Sequence, residues 1–214
     1  MKLFYGSKTL VKIPVYGEGN PSNDYGLGFY MTNNIEMADL WASQFKNDGF
    51  SITYNVDFSG LKVLKLLGTD EKSILSWITI LVKNRFDYVD RVQYSDVINW
   101  LIKHFDVPID DYDVVIGYRA DDSYFNYSRG FVNGEVSFET LSLALKLGKL
   151  GIQNVLVSKE SFKHISYLEH KTVKASKEYE TFRRKTLNEY HELLDKEDKI
   201  NNTFIRDLMR KYGK

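Results

Sequence analysis

An α+β fold is predicted by three features of this 214-residue chain. Ile52, Tyr54, Val56 and Phe58 alternate at the period of a strand. Met37, Leu40, Trp41 and Phe45 recur at helical spacing, as do Ile74, Trp77, Ile78 and Leu81. The two kinds of segment follow one another irregularly, which excludes a regular βαβ series.

The elements follow in order. Lys2 to Tyr5 predicts a short strand, and Val11 to Tyr16 an extended segment carrying Pro14. Residues 17–24 have the Gly, Asn, Pro and Ser chemistry of a loop. Phe29 to Thr32 predicts a second strand. Asn33, with Glu36 three residues later, has a capping-box arrangement and predicts a helix start. Phe50 to Phe58 and Leu61 to Leu66 read as strands. Asp70 to His104 predicts two helices, the second buried through Val97, Trp100, Leu101 and Phe105.

Val114 to Tyr118 is a strand led in by Asp110 to Asp113. Ser137 to Leu147 is an amphipathic helix that Ser137 can cap and Gly148 can close. Gln153 to Val157 and a segment near Ile165 to Tyr167 are the last strands. Past Lys171 the composition shifts to twelve basic against eight acidic side chains. One long charged helix, a break near Asn201 and Asn202, and a short last helix are expected there.

Composition narrows the function. Hydrophobic residues make up 43% of the chain and only three prolines occur, so a packed core is expected. With no cysteine, disulfides, thiolate nucleophiles and cysteine-ligated zinc are excluded. Charges balance at 29 of each sign, which argues against binding dominated by a phosphate backbone. The longest apolar run, Ile74 to Val82, is too short to span a bilayer. The amino terminus carries no apolar signal core, so a cytoplasmic location is expected.

Two glycine-containing segments carry the chemistry. Gly6, before Ser7 at a strand end, can offer N–H and C=O to a planar carboxamide, or simply make a tight turn. Tyr30, after Gly28, can stack on an aromatic ring or fill a core. Arg119, Asp121 and Asp122 leave a strand end. Arg119 can grip a phosphate oxygen, and either aspartate can act as a general base or cap a helix. Tyr124, Phe125 and Tyr127 add aromatics to the same loop, where they can stack on a base or pack the core. His104, His164, His170 and His191 are scattered, with neither metal spacing nor a nucleophile–base pair.

Tyr5-Gly6-Ser7, Gly26-Leu27-Gly28-Phe29-Tyr30 and Gly151 to Val157 together resemble the ADP-ribosyltransferase fold, in the branch of diphtheria toxin and the poly(ADP-ribose) polymerases. A narrower resemblance is to a bacterial ADP-ribosyltransferase-like family of unknown function. It rests on Leu3 to Ser7, Asp24 to Thr32, Ala38 to Ala42, Tyr112 to Asp122 and Leu150 to Ser158. Such proteins often sit beside a small partner gene, as toxin and antitoxin do. The match covers roughly residues 3–168.

What the resemblance implies is as follows. The fold is ADP-ribosyltransferase-like, with split mixed or antiparallel sheets, peripheral helices and a helical extension. Its domain covers 1–170 with a helical insertion at about 70–105, followed by a charged helical extension over 171–214. NAD+ is the co-substrate and no metal is used. Tyr5, Gly6, Ser7, Gly28 and Tyr30 bind it, and Gln153, Tyr30, Arg119, Asp121 and Asp122 form the catalytic set. Tyr5 stands where the family has His, and Gln153 where most active transferases have Glu.

A neutral Gln accepts the ribose hydroxyl but brings no charge. That charge is worth roughly 3–4 kcal/mol in a dry site, so either turnover is slow or Asp121, Asp122 or, less favourably, Glu160 supplies it. Three functions are expected in competition. One is a mono-ADP-ribosyltransferase acting on a protein or nucleic acid, as the toxin of a toxin–antitoxin or phage-defence system with a small antitoxin partner. The others are a non-catalytic NAD+- or ADP-ribose-binding module, and an interaction protein working through the 171–214 tail or the Arg183-Arg184-Lys185 patch.

Overall fold

The computed structural model describes residues 1–120, 122–146 and 151–213. Seven strands form one hydrogen-bonded order, β4-β5-β6-β2-β1-β3-β7. They are β1 (Lys2–Ser7), β2 (Phe29–Thr32), β3 (Gly49–Val56), β4 (Val63–Leu66), β5 (Val114–Tyr118), β6 (Ile152–Leu156) and β7 (Ile165–Val173). The helices are α1 (Ile35–Ser43), α2 (Glu71–Arg85), α3 (Tyr88–Gln93), α4 (Ser95–Phe105), α5 (Asp122–Asn133), α6 (Phe138–Lys146), α7 (Glu178–Leu194) and α8 (Ile205–Tyr212). The α+β class is therefore as expected.

Two compact units divide the chain. The first joins Met1–Lys65, Pro108–Arg119 and Gly151–Arg183. The second joins Leu66–Val107, Ala120–Leu150 and Arg184–Lys214. The segment expected as an insertion thus groups with the end of the tail, and the boundary expected at 170 falls inside β7.

In the first unit, β1 runs antiparallel to both β2 and β3, β6 to β2 and β5, and β7 to β3. One sheet face holds the core: Leu3, Met31, Ile52, Tyr54, Val56, Val114 and Leu156. Burying an aliphatic side chain of this size stabilises by about 1.5–3 kcal/mol. The other face receives α1. A Cβ on Gly6 would fall 2.1 Å from the Ala38 carbonyl oxygen, and one on Gly49 2.2 Å from that of Ala42. Main chain therefore rests directly on main chain. The α1 cap is Asn34 rather than the expected Asn33: its Oδ1 accepts the N–H groups of Glu36 and Met37.

Val11 to Tyr16, expected as an extended segment, pairs with no strand and is loop. The buried Tyr54 hydroxyl donates to the Val11 carbonyl and ties that loop to the sheet; burial raises the phenol's pKa. Asp113 joins three elements. Its carboxylate accepts the Lys62 N–H at 2.9 Å and the Ser158 hydroxyl at 2.5 Å, and its N–H donates to the Lys62 carbonyl at 2.8 Å.

The second unit is helical apart from the end of β4. Where two helices were expected over Asp70 to His104, Asp87 starts a third by accepting the Asp90 N–H at 2.9 Å. Trp77, Ile78 and Leu81 of α2, and Ile98 and Leu101 of α4, are buried. The loop expected after Arg119 is α5. Its Tyr127 packs edge-on to Tyr190 at 4.5 Å, and Phe125 lies edge-on to Phe86 with Arg85 over its face. Those two rings serve packing rather than an acceptor base. Ser137 caps α6 through the Thr140 N–H, as expected; Gly148 lies outside the described residues. The tail forms α7 and α8 on either side of the expected break.

Two outcomes test these contacts. Gly6→Ala sets a methyl against α1 and should destabilise by about 1–3 kcal/mol, lowering the thermal midpoint by several degrees in calorimetry. The Ser158 hydroxyl, then the Lys62 N–H, hold the Asp113 carboxyl below its ordinary pKa. Its contribution is present above the ordinary carboxylate range and lost as pH falls toward the depressed folded value. Asp113→Asn should therefore flatten the acid limb of the unfolding-midpoint profile.

Candidate functional site

The site is built on a seam in the sheet. Met1 and Val56 exchange two backbone hydrogen bonds, at 2.6 and 2.8 Å. In an antiparallel ladder such pairs alternate with non-bonded ones. Counting from Met1, Gly6 opposite Ser51 is a non-bonded pair, so the Gly6 N–H and C=O point away from β3 and toward β2. On that side β1 and β2 share one registered pair, Phe4 with Thr32. Gly6 with Tyr30 would be the next bonded pair, and the ladder stops before it. The expected split between sheets is thus a seam within one sheet.

Register then orders the side chains. Phe4, Thr32, Gln153 and Gly117 form one row across β1, β2, β6 and β5. Two residues along, on the same face, lie Gly6 and Tyr30. Two residues the other way, just past β5, lies Arg119. Rows two residues apart are separated by about 6.5–7 Å. The α1 helix lies on this face, over Gly6.

Tyr30 is half-buried, and its hydroxyl is engaged. It donates to the Gly26 carbonyl at 2.6 Å and accepts the Tyr25 N–H at 3.0 Å. Gly26 has φ +75°, a turn conformation that other residues rarely adopt. Tyr25 is buried, donates to the Tyr118 carbonyl at 2.6 Å, and lies over Gly117, where a Cβ would meet its hydroxyl oxygen at 2.1 Å. Gly117 therefore seats Tyr25, a site residue that sequence reasoning missed. Its visible signal was an aromatic residue directly before a turn glycine.

Gln153 is only 7% exposed, and its Oε1 is buried with no hydrogen-bond partner. Trp41 of α1 sits against Gly6, within 2.7 Å of where its Cβ would be, and the indole Nε1 is also buried without a partner. The sequence placed Trp41 on an apolar helix face and within the Ala38 to Ala42 segment of the family resemblance, with no site role. Arg119 is buried too. Its guanidinium lies 4.8 Å over the Trp41 ring, 3.7 Å from Met37 Sδ and 3.4 Å from the Tyr179 hydroxyl.

Gly6, Tyr30, Gln153 and Arg119 thus share one face. Tyr5 and Ser7 do not, because alternate strand residues point to opposite faces. Tyr5 stacks obliquely on Phe29 at 4.7 Å. With Gly28, Tyr30, Val11 and Pro14 it nevertheless lines a cavity of about 320 Å³. Ser7, expected beside a carboxamide, accepts the Thr9 N–H at 3.2 Å where the chain leaves β1. A Cβ on Gly28 would meet Val155 Cγ1 at 2.6 Å, so this glycine serves strand packing. Asp121 lies outside the described residues, and Asp122 opens α5 in the second unit. Glu160 is held below its ordinary pKa, chiefly by a hydrogen bond from Lys163. Among the described residues no metal-binding cluster of His, Asp or Glu occurs, and no helix is long and apolar enough to cross a membrane.

One family model, described as a protein of unknown function (DUF3990), matches residues 1–167. The chain belongs to that family. No curated protein and no solved structure matches it. The DUF3990 match takes in the whole seam and its side chains, and it ends before α7 and α8.

Tyr30→Phe removes both bonds of the hydroxyl. It should lower stability by about 1–3 kcal/mol in denaturant unfolding while leaving the far-ultraviolet dichroism unchanged.

Proposed function

We propose that this DUF3990 protein is a mono-ADP-ribosyltransferase that uses NAD+ to modify a macromolecule. What supports the reading is the order of groups on one sheet face: the Gly6 main chain and Tyr30, then Gln153, then Arg119. A dinucleotide presents a carboxamide-bearing ring, a ribose and a pyrophosphate in the same order. The Gly6 N–H and C=O hold the carboxamide at the open seam, with the Tyr30 and Trp41 rings against nicotinamide. Gln153 Oε1, now unpaired, accepts a ribose hydroxyl. Entry of a flat ring against Trp41 requires Arg119 to leave that indole and turn toward the phosphates.

In the transfer, the bond from ribose C1′ to the nicotinamide nitrogen breaks and nicotinamide leaves as a neutral molecule. A nucleophile of the acceptor bonds to C1′ and gives up its proton to a base. The acceptor is a protein or nucleic acid, and the setting a cytoplasmic toxin–antitoxin or phage-defence system with a small protein antitoxin. Tyr5 faces away from Gln153, so the second ribose does not rest on it in this arrangement. A second reading, a module that binds NAD+ or ADP-ribose without transfer, is favoured by one observation: Gln153 is neutral.

Incubation with labelled NAD+ and lysate tests the pair. Transfer should mark a discrete protein or nucleic-acid band, and Gln153→Ala should reduce the rate about 10–100-fold, the loss of one buried hydrogen bond worth about 1–3 kcal/mol. Gln153→Glu should raise or redirect transfer in an enzyme. Calorimetric NAD+ binding with no band from either chain selects the binding module, and no NAD+ binding removes both.

A further inference from the structure

The seven-strand order ends on β7, the longest strand, which pairs with β3 on one side only. Its run from Leu168 to Thr172 is exposed. The ladder phase that Met1 and Val56 set across β1 and β3 carries over to this edge. Thr53, Ser51 and Gly49 turn their N–H and C=O groups toward β7, so their partners Glu169, Lys171 and Val173 are the bonded residues. His170 and Thr172 point theirs outward, and no main-chain partner lies there among the described residues. Past Val173 the chain leaves the edge clear. The Ala175 N–H donates to Asp48 at 3.1 Å and the Ser176 N–H to the Ser43 carbonyl at 3.0 Å, which draws it back toward the end of α1.

An exposed strand edge is a template for another strand, and register decides which strand fits. A second copy of β7 meets the first antiparallel, about a two-fold axis through one residue, because outward groups must face outward groups. An axis at Leu168 falls where the register shifts opposite Thr53 and Tyr54 and regular pairing is broken. One at Thr172 carries the second strand onto residues 174–175, where the chain has left the line of β7. One at Glu169 or Lys171 sets that charge against its own copy in the close, non-bonded position. One at His170 exchanges two main-chain bonds between the two His170 residues and sets Glu169 of each copy opposite Lys171 of the other.

We propose that two copies of this chain join edge to edge through β7, centred on His170, into one continuous sheet. Fit comes from the order of two opposite charges about one axis, with no net charge needed on the edge. Glu169 makes no ion pair among the described residues. Lys171 already bonds Asp39 of α1 at 2.6 Å. That contact uses one of the three N–H groups of the ammonium and leaves the others to Glu169 of the second copy. Thr172 of the second copy comes opposite Leu168, which is 44% exposed. Pairing over about five residues a side stays below the ~1,200 Å² of a standard interface, so a weak dimer is expected, with a dissociation constant on the order of 10–100 µM. Residues 169–172 lie past the DUF3990 match, and the pairing does not depend on NAD+.

Sedimentation velocity of the full-length protein over roughly 1–500 µM tests this. The expected result is a monomer–dimer equilibrium. Glu169→Lys and Lys171→Glu each place like charges opposite one another twice, and each should weaken the dimer about tenfold or more. An equimolar mixture of the two variants should dimerise again, because each supplies the charges that the other lacks. Both side chains are exposed, and unchanged dichroism and thermal midpoint would show each variant folded. A monomer throughout that range leaves the edge to an extended segment of another protein and overturns the proposal. So does a dimer that neither substitution weakens, which puts the contact on another face. A mixture that stays monomeric removes the His170-centred register and the proposal with it.

Discussion

The early end of the β1–β2 ladder is the constraint on which the candidate site depends. β1 lies between β2 and β3 and bonds both, yet it holds β3 along its whole length and β2 at one registered pair. Past Phe4, the main-chain groups on the β2 side point into the seam. A closed ladder would bond Gly6 to Tyr30 and leave neither available. Two contacts keep the strands engaged elsewhere: α1 rests on Gly6, and Tyr30 is tied back to Tyr25 and Gly26 in its own loop. The glycine expected to admit a ligand therefore admits a helix. What the ligand would meet at Gly6 is the edge of the peptide, not the space of a missing side chain.

Two buried groups on α1 and β6 set the energetic character of that face. Gln153 Oε1 and Trp41 Nε1 each lack a partner, and a buried polar atom left unpaired costs about 1–3 kcal/mol. Such groups are uncommon in folded proteins and call for an explanation. One is an acceptor and the other a donor, and both lie near the open seam. A polar ligand that bonded them would recover that loss on binding. The same argument does not apply to Tyr5 and the 320 Å³ cavity, where the wall is aromatic and the nearby polar groups belong to the loop.

Much of the sheet was legible because strand periodicity is local. Phe29–Thr32 and Val114–Tyr118 match their expected bounds, and Ile52, Tyr54 and Val56 share the buried face. Helix 122–133 was not legible, since Asp, Ser, Tyr and Asn at its start read as loop chemistry, while burial of Tyr127 and Phe131 decides its form. The third helix at 88–93 is set by Asp87, a cap hidden within a longer helical pattern. Which unit a segment joins depends on contacts far apart in sequence, so residues 66–107 and 184–214 could not be paired by inspection. The site was half legible. Gly6, Tyr30, Gln153 and Arg119 emerge together from register, whereas Tyr5 and Ser7 fall on the other face by strand alternation alone.

The neutrality of Gln153 follows from its surroundings. A carboxylate buried to this degree needs a cation or several donors, because removing a charge from water costs far more than removing an amide. On this face the charged side chain of the strand next to β6 is Arg119, one row away beyond Gly117. Its guanidinium is engaged with Trp41 and Tyr179. Placing an anion at 153 would therefore demand that Arg119 turn toward it, and would compete with any phosphate for the same cation. A glutamine avoids that competition: it keeps an acceptor on this face and leaves the arginine to the next row. On the dinucleotide reading, the cost is a transition state stabilised by a dipole instead of a charge, which suits slow modification of a macromolecule better than rapid turnover.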